Sequence, residues 1–149
     1  MSETTPVLDY PPSRKVGFVE SVRLFFKNFA NFKERSSRGA YWWWVLASAL
    51  IAFVLGVVDG LVFGFDPEDM EAFSNIFSLA TLVPNIALSV RRLHDVGRSG
   101  WWLLLYLTVI GILVVLWWAI QPGERASNRF GPDSEAGKAS ADDVAATFA

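Results

Sequence analysis

The chain contains no cysteine, which excludes disulfides, thiolate metal sites and cysteine nucleophiles and leaves the redox compartment open. A single histidine is too little for a histidine-based metal centre within one chain, so no metal or cofactor is expected. Charge is scarce: charged residues make up 19% of the chain and the formal net charge is −2, which gives no case for nucleic acid as a partner. The first forty residues also lack an apolar run followed by a small-residue cleavage site, so no cleavable signal peptide is expected. The first long apolar stretch, near Tyr41, reads as an uncleaved anchor.

Apolar residues are plentiful. They make up 52% of the 149 residues, aromatics alone 15%, and mean hydropathy is +0.33. A soluble domain of this size would have to hide that surface in a core it is barely large enough to build. A bilayer removes the difficulty.

Three prolines (Pro6, Pro11, Pro12) and polar neighbours mark residues 1–16 as an unstructured tail. The Ala, Ser, Gly and Asp-rich stretch 133–149 reads as a second, disordered tail. Between them, 17–132 forms a membrane domain. Over 17–33, Phe18, Val22, Phe25, Phe29 and Phe32 recur at helical spacing, with Glu20, Arg23, Lys27 and Asn31 opposite. This pattern predicts an amphipathic helix in the membrane interface.

Tyr41 to Val58 is an uncharged run of 18 residues, and apolar character resumes after Asp59 as far as Phe65. Residues 72–90 give a second uncharged run of 19, and 101–120 a third of 20. About 20 residues at roughly 1.5 Å each cross a hydrocarbon core of about 30 Å. The expected fold is therefore an all-α membrane protein: three transmembrane helices (41–65, 72–90, 101–120) behind an N-terminal interfacial helix. A re-entrant hairpin bent at Gly111 is the alternative for the third run, ranked lower because irregular backbone in lipid is costly. All seven tryptophans fall at the ends of these runs, as an aromatic belt requires.

Seven basic residues precede the first run, and Arg91, Arg92 and Arg98 follow the second; the segment between the two runs carries Asp66, Glu68, Asp69 and Glu71 without Lys or Arg. By the positive-inside rule the N-terminus and the 91–100 loop are cytoplasmic and the acidic loop is outside. Three spans put the C-terminal tail, with Arg125, Arg129 and Lys138, outside as well.

Ser48, Ala52, Gly56, Gly60 and Gly64 repeat every fourth residue of the first run. Small residues so spaced let another helix approach closely. That helix belongs either to a second copy, giving a homo-oligomer, or to this chain. Asp59, the only ionisable residue inside a run, is a candidate ion site. Its place about 24 Å along the helix from the tryptophans also fits an interfacial carboxylate. Asn75, Ser78, Thr81, Asn85 and Ser89 soften the second run, and Pro84 should kink it.

Arg91, Arg92 and Arg98 suit anionic lipid headgroups or a topology-fixing turn, with Gly97 and Gly100 allowing a tight bend. His94 and Asp95 are the one plausible acid–base pair, but adjacency does not specify catalytic geometry and no activated serine is evident. No enzyme is expected. A small structural or regulatory membrane component, binding lipid headgroups or partner helices, is the leading reading, and an oligomeric transporter or channel the second.

Arg91-Arg92-Leu93-His94-Asp95 followed by Gly97-Arg98-Ser99-Gly100-Trp101-Trp102 resembles the hallmark of the bacterial inner-membrane family called domain of unknown function 805. Arg35, Arg38, Tyr41 and Trp42 resemble a second motif of that family. Pro122-Gly123 with Asn128-Arg129-Phe130-Gly131 resembles a third. The resemblance covers roughly 20–133 and implies a multi-span cytoplasmic-membrane protein, without an established activity, substrate or cofactor. Glu34 stands where the family usually has glycine. The third run lacks the family's usual mid-span proline, which implies a straighter helix.

Overall fold

The computed structural model describes residues 16–66 and 71–135. Among these the chain is helical, with no β-strand: α1 (Phe18–Lys27), α2 (Arg38–Phe63), α3 (Ala72–Asp95), a 3-10 helix (Gly100–Leu107) and α4 (Val109–Ile120). Of the tails expected at 1–16 and 133–149, residues 1–15 and 136–149 lie outside the described residues.

The amphipathic helix is shorter than its sequence pattern. Asn28 ends α1 by turning both its backbone N–H and its Nδ2 onto the Leu24 carbonyl, at 3.1 and 2.9 Å. A side-chain amide that competes for a helical carbonyl in this way favours termination, so Phe29 and Phe32 fall outside the helix and are exposed. Ser21 and Phe25 face inward. Phe25 stacks on Trp44 of α2 at 3.4 Å between centroids, and Phe18 meets Trp43 edge-on. Trp44 is 2% exposed; it belongs to the core with Phe25, Tyr41, Ala47, Leu88 and Ala119 and not to an interfacial belt.

Ser37 starts α2 by accepting the Ala40 N–H in its side chain, the usual N-cap arrangement. α2 and α3 are long and apolar enough to cross a bilayer. Only 17% and 22% of their most apolar windows are buried, whereas a core helix of a soluble protein would be mostly covered. Two polar ties join them. Trp44 Nε1 donates to Asn85 Oδ1 at 2.8 Å, and at the far end Asp59 accepts the Phe73 and Ser74 N–H groups at 2.9 and 2.8 Å. Pro84 is buried inside α3.

The third apolar run is not one straight helix. Thr108 sits in extended conformation, φ −124° and ψ 143°. It ends the 3-10 helix through its N–H to the Leu105 carbonyl, and caps α4 by accepting the Gly111 N–H at 3.0 Å. The chain then doubles back. The rings of Trp102 and Trp118 lie 5.6 Å apart, where sixteen residues of straight helix would separate them by about 24 Å. At Gly111 an added Cβ would fall 2.1 Å from the Leu105 carbonyl oxygen, so only glycine permits this approach. The straight third span expected from the uninterrupted hydropathy, and from the missing proline, is thereby corrected to a hairpin. The bend is at Thr108, three residues before the glycine named for the alternative.

Candidate functional site

The hairpin returns the end of α4 to the end of α3. There the segments around Arg35, Arg91–Asp95 and Gly123–Gly131 converge on one carboxylate. Asp95 is 1% exposed. Its Oδ1 accepts Arg35 Nε at 3.0 Å and the Ser134 hydroxyl at 2.6 Å, while its Oδ2 pairs with Arg92 Nη1. Gly123 lies against it so closely that an added Cβ would be 2.1 Å from Oδ2. The Asp95 carbonyl accepts the Glu124 N–H at 2.8 Å.

The two arginines use their remaining donors on backbone. Arg35 reaches the carbonyls of Ala126 (2.8 Å), Gly131 (3.3 Å) and Glu124. Arg92 reaches those of Ala119 (3.2 Å), Ser36 (3.4 Å) and Gln121. Carbonyls in the last turn of a helix lack intrahelical partners, so Arg92 completes the C-terminus of α4 and Arg35 secures the loop after it. Trp42 adds an indole N–H to Ala119 O at 3.1 Å.

His94 and Asp95 point to different partners. The imidazole stacks on Phe130 with centroids 3.8 Å apart and planes 3° from parallel, and its Nδ1 lies 3.3 Å from the Glu34 carbonyl. Asn128 donates to the His94 carbonyl at 2.9 Å and to Glu124 Oε2 at 2.8 Å, and its Oδ1 accepts the Phe130 N–H. Gly97, at φ +70°, turns the chain out of α3. The chain bends at Lys33 and Glu34, and just beyond the bend the Ser36 N–H donates to the Arg91 carbonyl at 3.0 Å.

The basic residues named from sequence thus divide. Arg35, Arg91 and Arg92 are buried. Arg38 and Arg98 are exposed, Arg98 over the Trp118 ring at 5.0 Å. Arg91 donates Nε to the Ala87 carbonyl, while its Nη2 has no partner.

Of the small-residue row, Ala52, Gly56 and Gly64 are exposed, and a Cβ at Gly56 would meet nothing within 4 Å. Gly60 is covered by the ring of Phe65. Ser48 bonds its own helix at Val45 O. The chain's own α3 and α4 therefore leave the middle of the row bare. Asp59 is buried, with both oxygens on the first-turn N–H groups of α3, where a carboxylate also meets the positive end of the helix dipole. Among the described residues no three His, Asp or Glu side chains gather as a metal site would require.

Sequence motifs located Arg35, Arg91, Arg92, His94, Asp95 and Asn128. They did not locate Ser134, which lies in the stretch read as a disordered tail, nor the carbonyls of Ala119 and Gln121. An isolated serine and backbone oxygens carry no residue signal.

Inner membrane protein YhaH of Escherichia coli (strain K12) is 38% identical over 109 residues, covering 72% of this chain and 89% of YhaH. Inner membrane protein YhaI of the same strain is 38% identical over 112 residues, covering 74% and 92%. Uncharacterized protein YiiR, again of that strain, is 36% identical over 108 residues, covering 68% and 67%. No solved structure matches. The profile of the family described as "Protein of unknown function (DUF805)" matches residues 29–132, a range holding all three converging motifs, and the chain belongs to that family.

Proposed function

We propose that the protein is a non-enzymatic component of the bacterial inner membrane, with two spans (α2, α3) and a re-entrant hairpin, acting by association with lipid headgroups and partner helices. One observation carries this reading: the motif residues are consumed by the fold. Both Asp95 oxygens are occupied, Arg35 and Arg92 close onto backbone, and His94 is stacked. Apart from Arg91, whose Nη2 has no partner, what is left to interact is the outside of the molecule.

That outside has two parts. Arg23, Lys27, Lys33, Arg38, Arg98, Arg125 and Arg129 are exposed; basic groups beside an anionic leaflet contribute about 1 kcal/mol each. α1, with Val19 and Phe26 outward, suits the interface beside them. The bare Ala52–Gly56 stretch of α2 offers a close approach to another helix, and a second copy of this chain is the partner we propose.

The hairpin also supports the orientation. If 101–120 folds back, all thirteen Lys and Arg residues share the cytoplasmic side with both termini. A third span would divide them ten to three. The names of YhaH and YhaI support the inner membrane as the compartment. The transporter reading draws on Asp59, Asn75 and Asn85; Asp59 and Asn85 are engaged inside the fold, and Asn75 is exposed.

The chain has no cysteine, so single replacements give a clean test. Ala52→Cys or Gly56→Cys should form disulfide-linked dimers in oxidised native membranes, while Val54→Cys and Leu61→Cys, on the opposite face, should not. Equal cross-linking at all four positions, or none at any, would contradict pairing through this face.

A further inference from the structure

The Asp95 knot leaves one cation unmatched. Arg35, Arg91 and Arg92 are 9%, 3% and 1% exposed, and among the described residues the ion pairs at this end of the molecule are Arg35–Asp95 and Arg92–Asp95. Three guanidinium charges against one carboxylate leave a net +2 under cover. Arg91 makes no ion pair within 4 Å among these residues, and the exposed Glu34 acts on it only from farther away. It spends Nε on a carbonyl of its own helix, and its Nη2 is buried without a partner. A buried, unpaired charge is among the costliest arrangements a fold can hold, so its surroundings indicate what completes it.

Those surroundings are polar and hollow. Arg91 lines a cavity of about 160 Å³ together with Ser21 and Asn28 at α1, Glu34, Ser36 and Ser37. One water needs only about 10–15 Å³ by this measure, so a tetrahedral oxyanion fits. Ser37 and Ala40 of the same wall begin α2, whose first-turn N–H groups add positive potential for an anion. Glu34 is the opposing charge on the wall, and it is exposed. Ser21 and Asn28 already donate to the carbonyls of Phe18 and Leu24, which leaves the outer edge of the Arg91 guanidinium, the hydroxyls of Ser36 and Ser37 and the start of α2. Together they suit a tetrahedral oxyanion, with donors arriving from several directions.

We infer that this cavity binds a phosphate group, with Arg91 as its principal cationic ligand. The phosphate belongs either to an anionic phospholipid headgroup or to a soluble phosphate compound. The inference deepens the headgroup part of the function proposed above; cross-linking through α2 tests the helix part and is indifferent to it.

The test uses the full chain, delipidated in a zwitterionic detergent. Inorganic phosphate and glycerol 3-phosphate are titrated against chloride at equal ionic strength, with thermal stability as the readout. In parallel, native mass spectrometry counts the phosphatidylglycerol retained from mixed phosphatidylcholine nanodiscs. Wild type should bind one phosphate-bearing ligand, and Arg91→Gln should bind it about tenfold or more weakly, as loss of a charge-assisted hydrogen-bonding group implies. Glu34→Gln, which removes the opposing charge, should bind more tightly, and keeps the inference testable if Arg91→Gln fails to fold. Retention of phosphatidylglycerol without a response to soluble phosphate assigns the site to lipid; the reverse assigns it to a soluble compound. No binding by wild type or Glu34→Gln in either arm, or unchanged binding by Arg91→Gln, would overturn it.

Discussion

Removing the carboxylate of Asp95 would strand two guanidiniums, Arg35 and Arg92, that are almost fully buried. Breaking a buried pair by deleting one partner costs about 3–5 kcal/mol. Asp95→Ala should therefore lose that much in detergent unfolding, and a loss under about 1 kcal/mol would mean the knot does not hold the fold. Asp59 separates two roles just as sharply. As a helix cap it accepts two N–H groups; asparagine keeps one acceptor and loses the other, while alanine loses both, at roughly 1 kcal/mol or more. Asp59→Asn should therefore lose less stability than Asp59→Ala; a liposome ion flux abolished by Asp59→Asn would support the ion-site reading. At this scale sequence identified the charged side chains on Asp95, without Ser134 and without their pairing. Arg35 and Asp95 are sixty residues apart, and a motif shows which residues occur together without showing which atoms meet. The same distance explains why Arg91 and Arg92 read as exposed: adjacent arginines at a membrane edge look open to solvent until their remote cover is known.

Among the elements, the two long helices were legible because hydropathy and length suffice for them. Their small-residue row was legible too, although only the structure shows Ala52 and Gly56 bare. α1 was legible in existence and one face, but its end was not: the phenylalanine spacing runs on through Phe29 and Phe32 while Asn28 has already closed the helix. The third apolar run failed for a related reason. Hydropathy averages over Thr108, yet a hydroxyl within an apolar run can cap a helix, and Thr108 does so with Gly111 three residues on. Gly111→Leu should lower thermal stability strongly, since its Cβ would collide with the Leu105 carbonyl and overpacking costs about 1–3 kcal/mol. Gly56→Leu, into open space, should leave the detergent-dispersed monomer within about 0.5 kcal/mol of wild type. Equal effects at the two glycines would argue against the hairpin.

For the molecule as a whole, the hairpin and the knot are one device. Folding 101–120 back on itself puts the Ala119–Gly131 region beside Arg35 and Asp95, and the bonds from Arg35 and Arg92 to its carbonyls hold it there. Compartment and family were readable from composition and motifs; the number of crossings was not, because a 20-residue apolar run is long enough either to span or to turn. The side of the membrane reached by the C-terminus decides between them. Paired alkaline phosphatase and green fluorescent protein fusions at Ala149, with fusions after Phe65 as the external reference, read it directly. A fluorescent, phosphatase-inactive C-terminus in the cytoplasm is the expected result, and an active phosphatase at Ala149 would show that the third run crosses and that the Asp95 cluster does not form.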